Sequence, residues 1–392
     1  MKKNRIICLL MILALAGSVF AQGLELKLKP PVFSGTGNFT TAADQLNAQL
    51  ATLFNPSQIF WTEITDELGA FNGAPNDLIT AMGNSSLYSS HGASFQGYYG
   101  YNGFAIAFGP AVGIQIPSHP LDFIHEIEGL EQKLMNTGDI VLGLNPQVLN
   151  AQVGFKLPFT KKLYLGVQGG YMKLSNDTLD QFSLNLPLTL AFDTLSLGAR
   201  ANFQLIPQVK LAGGLILWRG LNIGSGFIYQ KTNLTVGFPL DLNQSSSFIA
   251  GGENVVVKLN PNLNLNMEVN TFTVPLEAVT SIRLLWFLNI TAGAGIDFGF
   301  GTSKLNAGLN IDDISIDVSD IIATAGPGDT LTQVSAGSAS LNLGGEQNPQ
   351  FFNPKLMVGV GINLGPVIID VPVTWYFIDN GVSVGVTLGL VF

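Results

Sequence analysis

From Gly381 to Phe392, side chains alternate between apolar and small or polar. Val382, Val384, Val386, Leu388, Leu390 and Phe392 form one row, while Gly381, Ser383, Gly385, Thr387 and Gly389 make up most of the other. Successive side chains of a strand point to opposite faces, so this stretch makes a strand with one apolar face and one that tolerates water. The preceding stretch repeats the pattern, with Val367, Ile369, Val371, Val373, Trp375 and Phe377 set against Ile368, Asp370, Pro372, Thr374 and Tyr376. Asp379-Asn380-Gly381 between the two supplies the chemistry of a tight hairpin turn. One strand earlier, Leu356, Val358, Val360, Ile362 and Leu364 alternate with Lys355, Met357, Gly359, Gly361 and Asn363. Strands of a water-soluble sandwich alternate too, but they average about five or six residues. These run to roughly 10 residues, enough to cross a bilayer at a tilt.

The expected fold class is therefore all-β, a transmembrane antiparallel β-barrel with lipid against the apolar rows and a polar lumen. Composition agrees. Only 11% of residues are charged and 45 are glycine, whereas a soluble domain carries about 25% charge. After the amino-terminal leader no run reaches ~18 uninterrupted apolar residues, so no spanning helix is expected. An apolar chain without one satisfies its backbone in lipid only by closing its strands into a ring. Met1-Lys2-Lys3-Asn4-Arg5, the apolar run Ile6 to Ala16 and Val19-Phe20-Ala21 read as a signal peptide over 1–21, cleaved near Ala21. The one cysteine, Cys8, lies inside it, so the mature chain is expected to have no disulfide and no thiolate metal site. Loss of Lys2, Lys3 and Arg5 takes the formal charge from −9 to −12, the wrong sign for a nucleic-acid partner. No cofactor is expected.

The span 22–90 reads as an amino-terminal arm and helical segment, and 91–392 as the barrel. Leu24, Leu26 and Leu28 alternate with Glu25, Lys27 and Lys29 up to Pro30-Pro31, which fits either a first strand or an extended periplasmic arm. Thr40 or Thr41 can cap a helix running to about Phe54, with Leu46, Leu50 and Leu53 on one face. Further helical pieces are expected over Ser57 to Leu68 and Asn76 to Met82. So few residues have little core of their own, and the economical place for them is the lumen, as a helical plug; a periplasmic appendage is the alternative. At roughly 21 residues per strand with its share of loop, the span 91–392 makes about 14 strands, within 12–16. Two interruptions stand out. The first, 117–148, carries a helical pattern from Leu121 to Met135; the second, 302–354, is rich in aspartate and glycine, with room for one more hairpin. With Phe392 at the periplasmic face, Leu285 to Phe287 and Gly365-Pro366 are periplasmic turns, while 302–354 and the turn at Asn380 face outward.

Arg200, Glu277, Arg283, Asp297 and Asp370 fall opposite apolar rows and are expected to line the lumen, paired with one another or with water. A substrate site or an ion constriction is the sharper alternative. His91, His119 and His125 are the only histidines, and the His119–His125 spacing matches no defensible metal geometry. No nucleophile-and-base pattern points to an enzyme. Phe54, Phe60, Trp61 and Phe71 concentrate large apolar groups ahead of the barrel, as the plug's own small core or as the lining of an apolar ligand pocket.

An amino-terminal helical segment, about 14 expected strands and a terminal Phe392 together resemble the long-chain fatty-acid transporter family of outer-membrane barrels. Asn55-Pro56-Ser57 followed by Ile59 and Phe60 is similar to the Asn-Pro-Ala and apolar stretch of that family's hatch. Phe392 also resembles the terminal signature by which barrel-assembly machinery recognises outer-membrane proteins. The low charge and glycine-rich, aromatic-ended strands are similar to barrel proteins of spirochaetes as well. The first resemblance implies outer-membrane localisation, capture of a hydrophobic, fatty-acid-like small molecule and its passage past a hatch. Two other readings stand beside it: a structural or surface-interaction barrel using loops 117–148 and 302–354, and a passive polar porin.

Overall fold

The computed structural model describes residues 25–56, 75–92, 103–115, 143–160, 162–181, 189–239, 245–324 and 326–392. The signal peptide over 1–21, the helical stretches at 57–68 and 121–135, and Phe60, Trp61, Phe71, His119 and His125 lie outside them. In chain order the elements are β1 (Glu25–Lys29), β2 (Val32–Thr36), α1 (Phe39–Leu53), α2 (Pro75–Ser89), β3 (Phe104–Gln115), β4 (Gly143–Lys156), β5 (Leu163–Ser175), α3 (Asn176–Gln181), β6 (Thr189–Ile206), β7 (Val209–Leu211) and β8 (Ile216–Pro239). There follow β9 (Ser245–Ala250), β10 (Glu253–Leu284), β11 (Leu288–Asp317), α4 (Ser319–Ala323), β12 (Thr330–Ser335), β13 (Ser338–Gln347), β14 (Phe352–Leu364), β15 (Val367–Tyr376), β16 (Gly381–Gly385) and β17 (Thr387–Val391).

Antiparallel pairing runs from β3 through β4, β5, β6, β8, β10, β11, β14 and β15 to the collinear β16 and β17, which pair back onto β3. Counting β16 and β17 as one interrupted strand, the described residues form a closed ring of ten. Fourteen was an overestimate because it divided the span evenly. β10 and β11 are 32 and 30 residues long, more than twice what a bilayer needs, and 302–354 is not the irregular loop expected. Its first part continues β11 to Asp317, and β13 pairs beside that continuation.

Sidedness is uniform around the ring. The connections at 157–162, 207–215, 285–287 and 365–366 share the end where Phe392 pairs with Phe104, Phe392 N donating to Phe104 O at 2.9 Å. At the other end lie the strand ends Gln115 and Gly143, Ser175 and Thr189, Pro239 and Ser245, Asp317 and Phe352, and Tyr376 and Gly381. Short turns on one side and long connections on the other match the periplasmic and external sides of a membrane barrel.

The wall is apolar outside and polar inside. On β14, Leu356, Val358, Val360 and Ile362 are exposed while Lys355, Met357 and Asn363 are buried. On β16 and β17, Val384, Val386, Leu388 and Leu390 are exposed while Ser383 and Thr387 are buried. Water would not tolerate such a surface, and lipid requires it. Along β10 the pattern then inverts. Toward the short-turn end the inward row is Thr271, Thr273, Glu277 and Ser281, and Phe272 and Leu276 face out; beyond Thr271 the inward row becomes Val269, Met267 and Leu265, and Asn266 and Glu268 face out. β11 inverts at the same level, from inward Asp297 to inward Leu305, Ala307, Leu309 and Ile311. Aromatic rings mark the crossover: Tyr229 and Phe272 lie 4.9 Å apart, and Phe300 and Phe351 5.2 Å. Twelve or so residues separate Phe272 from Leu284 on β10, roughly 30 Å at the usual rise and tilt.

Above that level β10 and β11 become the floor of a folded cap. Their inner faces present Val255, Val257, Ile311 and Ile314 to Phe39, Leu46, Leu50 and Phe54 of the α1 region, in one apolar core with Phe33 and Ile321. α1 covers the stretch expected to be helical, but it does not enter the lumen as expected. Its stripe of Leu46 and Leu50 needs an apolar partner, which the cap supplies and the polar lumen does not. β1 is neither a wall strand nor a periplasmic arm; it pairs with β13 at the cap edge, from Glu25 opposite Asn342 to Lys29 opposite Ser338.

The ring closes with an irregular seam. β3 shifts register between Gly109 and Ala111, Pro110 offers no N–H, and Val386 N donates to Pro110 O at 3.0 Å where β16 gives way to β17. A Cβ on Gly109 would stand 1.8 Å from Val386 O. Gly109→Val is therefore expected to impair closure. On semi-native gels a smaller fraction of the variant should run as the compact, heat-modifiable form, and an unchanged fraction would show that the seam yields.

Candidate functional site

Inside the ring runs α2, and its composition explains its place. Where a soluble helix would carry a leucine stripe, α2 has Ser85, Ser86 and Ser89, with Ser90 directly after it, all buried. It touches β3, β4, β8, β10, β11, β13 and β16. A Cβ on Gly113 of β3 would lie 2.2 Å from Ser85 O and 2.6 Å from Ser89 N, so the helix backbone seats directly on that glycine. Ser86 Oγ and Thr271 Oγ1 lie 3.0 Å apart, Ser90 Oγ donates to Thr273 Oγ1 at 3.2 Å, and Gln168 Nε2 donates to Ser90 O at 2.8 Å. Tyr88 stacks on Tyr376 of β15 with centroids 4.0 Å apart. Between walls that are not neighbours, Asn145 of β4 donates to Thr232 Oγ1 of β8 at 2.9 Å, and Gln147 donates to Gln230. Amide side chains thus bond across the lumen from one side of the wall to the other.

Just past α2, His91 enters a buried charged cluster fed by four strands. Lys355 of β14 donates to Glu277 Oε1 of β10 at 2.6 Å and stands 2.7 Å from Asp297 Oδ1 of β11. Arg200 of β6 approaches Glu277 Oε2 at 3.6 Å and donates to His91 Nδ1. With Nδ1 accepting, the imidazole proton sits on Nε2, which donates to Asp297 Oδ2 at 2.7 Å. Tyr376 OH donates to the same carboxylate at 3.0 Å. Two cations thus balance two carboxylates around a neutral histidine. His91, Glu277 and Asp297 are close enough to hold a metal ion, yet the Lys355 ammonium already bridges both carboxylates. The donor set as it stands is an ion-pair network, and it does not fit a metal ligand sphere.

A family model described as Lsa36-like matches residues 31–392, from β2 of the cap to the closing strand of the wall. This chain belongs to the Lsa36-like family. No curated protein matches it. Among solved structures, the Lsa36-like chain is similar to the translocator domain of the autotransporter NalP from Neisseria meningitidis, with 14% identity over 75% of this chain and 89% of that one and a TM-score of 0.29. It is similar to the CymD monoaromatic hydrocarbon channel, with 11% identity over 80% of this chain and 98% of that one and a TM-score of 0.23. It is also similar to a Pseudomonas aeruginosa FadL homologue, with 10% identity over 80% of this chain and 96% of that one and a TM-score of 0.23. At these scores none transfers a strand count or a ligand.

The structure of the Lsa36-like chain brings together three of the five polar residues singled out from sequence, Arg200, Glu277 and Asp297. Asp370 is buried on the inward face of β15, opposite Gly361 and Thr387. Arg283 is half-buried six residues along β10 from Glu277, toward the short turns, and stands apart from the cluster. Phe54 packs in the cap core, and so contributes nothing to a lumen pocket. Sequence reasoning missed His91, Lys355, the serines of α2 and the amides Asn145, Gln147, Gln168 and Gln230. Lys355 carried a signal, its inward parity beside Met357. The serines at helical spacing before His91 carried another.

Proposed function

We propose that this protein is an outer-membrane barrel closed by its own helix, which holds a folded cap at the cell surface for contact with other molecules. The observation that carries the reading is the polarity inversion along β10 and β11. The same two strands serve as membrane wall below Thr271 and as the floor of a water-exposed domain above it. α2, the wall-to-wall amides and the buried ion pairs support a lumen that stays shut. Uptake of a fatty-acid-like solute is the competing reading, and it calls for an apolar lining; among the described residues the inward side at the level of α2 is instead mostly amide, hydroxyl and charged, with Ile228, Ala111 and Tyr376 as buried exceptions.

Planar-bilayer recording tests the choice. The intact protein is expected to show no steady conductance, and deletion of Pro75–Ser89 is expected to open a channel. Gly113→Leu, which denies α2 its seat without shortening the chain, should leak as well. Steady conductance from the intact protein would favour a porin. Saturable fatty-acid binding that tightens with chain length, at up to ~0.8 kcal/mol per CH₂, would favour uptake.

A further inference from the structure

The inward row of β10 serves as a ruler for the direction in which the amino-terminal segment crosses the ring. At cap level, the Cβ of a residue replacing Gly345 would meet Ile79 of α2 at 2.7 Å, and one replacing Gly83 would meet Ser303 Oγ at 2.6 Å. Asn84 donates to Gln115 at 2.9 Å and to Asp379 at 3.0 Å, both at the long-connection end of the wall. Lower down, Ser86 meets Thr271, Ser90 meets Thr273 and His91 meets Glu277, in order along the inward row of β10. The chain therefore descends from the cap toward the short turns. It reappears at Gly103, whose carbonyl accepts from Lys156 N at 2.9 Å beside Phe392. About ten residues intervene, a contour of up to ~33 Å at ~3.3 Å each.

Everything ahead of α2 among the described residues is fastened at the opposite end. β1 ladders onto β13 and β2 onto β12. Asn47 of α1 clamps Phe33 through two hydrogen bonds of 2.8 Å. Gly251 N donates to Gln45 at 2.9 Å, and Asn38 donates twice to Asp329, at 3.1 and 3.0 Å. An arm on one side, a helix in the lumen and a first wall strand starting on the other side make a threaded chain.

Resting on the orientation argued under the proposed function, we propose that the barrel is the export route for its own amino-terminal arm. Residues 25–56 pass through the lumen to the cell surface, where they complete the cap, and α2 is left in the lumen as the trailing segment. The function added is self-translocation of a peptide. It requires the arm to cross unfolded, because the ring that holds one helix has no room for the cap core of Phe39, Leu46, Leu50 and Phe54.

The expected mature chain carries no cysteine, so single cysteines report cleanly. Lys29→Cys on the arm, Val334→Cys on the external connection and Phe159→Cys on a short turn all replace exposed residues. Each is treated with a membrane-impermeant maleimide in intact and in permeabilised cells. Threading predicts that Lys29→Cys and Val334→Cys label in intact cells, and that Phe159→Cys labels only after permeabilisation. Labelling at Val334→Cys without Lys29→Cys overturns threading and leaves the orientation standing. Labelling of intact cells at Phe159→Cys without Val334→Cys overturns the orientation itself. If Lys29→Cys impairs assembly, an unstructured epitope inserted between Gly23 and Leu24 gives the same readout with antibody.

Discussion

Lys355→Met is expected to be the most damaging single change in the lumen. Its ammonium bridges Glu277 and Asp297 at 2.6 and 2.7 Å with both partners buried. Breaking a buried pair from one side leaves an uncompensated charge and costs about 3–5 kcal/mol. Urea titration of the protein folded into lipid vesicles should show that loss. Lys355→Met combined with Asp297→Asn should recover part of it, because one positive and one negative charge leave together and the Arg200–Glu277 pair remains. A loss under about 1 kcal/mol for the single variant, the cost of an ordinary substitution, would mean that water reaches the ammonium and the cluster is no closed network.

The second large effect lies on the lipid side. Val384 faces out from β16 between Val373 and Val112 on the flanking strands, and it is 40% exposed. Val384→Arg should cost about 2–4 kcal/mol, as a cation near the middle of a wall does. Gly385→Ser should be mild, because a Cβ there meets nothing nearer than Pro110 O at 3.3 Å. Asn266→Arg has outward parity too but stands above the polarity inversion, in the cap. It should cost little, and a penalty equal to that of Val384→Arg would place the membrane boundary higher on β10 than Thr271.

The wall was readable because its signal is local. Alternation over Leu356 to Leu364 or Gly381 to Phe392 needs only neighbouring residues, and it assigned Arg200, Glu277, Asp297 and Asp370 to the inner face, where the structure has them. The charged cluster was not readable as a cluster. Lys355 and Glu277 are 78 residues apart, and register between non-adjacent strands has no local signature. The cap was present in the sequence in inverted form. Leu263, Leu265, Met267 and Val269 alternate with Asn262, Asn264, Asn266 and Glu268 as cleanly as any wall strand, but there the apolar Leu265, Met267 and Val269 turn inward. Leu305, Ala307, Leu309 and Ile311 do the same inside a stretch that aspartate and glycine made look irregular. The helix over Phe39–Leu53 was legible from Leu46 and Leu50. Its destination was not, since an amphipathic stripe says that it needs an apolar partner and leaves the partner's location open. The strand number was not legible because β10 and β11 are 32 and 30 residues long, far above the even share assumed for each strand.

Those two long strands have a mechanical consequence. A surface domain on a flexible tether swivels, and a pull on it ends in the tether. Here β10 and β11 are hydrogen-bonded to each other along nearly their whole length, from Val256 opposite Asp317 down to Leu284 opposite Leu288. A tug on the cap along the strand axis therefore runs down both strands into their ladders with β8 and β14, many bonds in parallel and in shear, and so into the wall. Peeling one bond at a time, the weak way to open a sheet, is closed to a force in that direction. The cap and the wall should move as one rigid lever, so that a sideways load at the surface tilts the barrel in its bilayer.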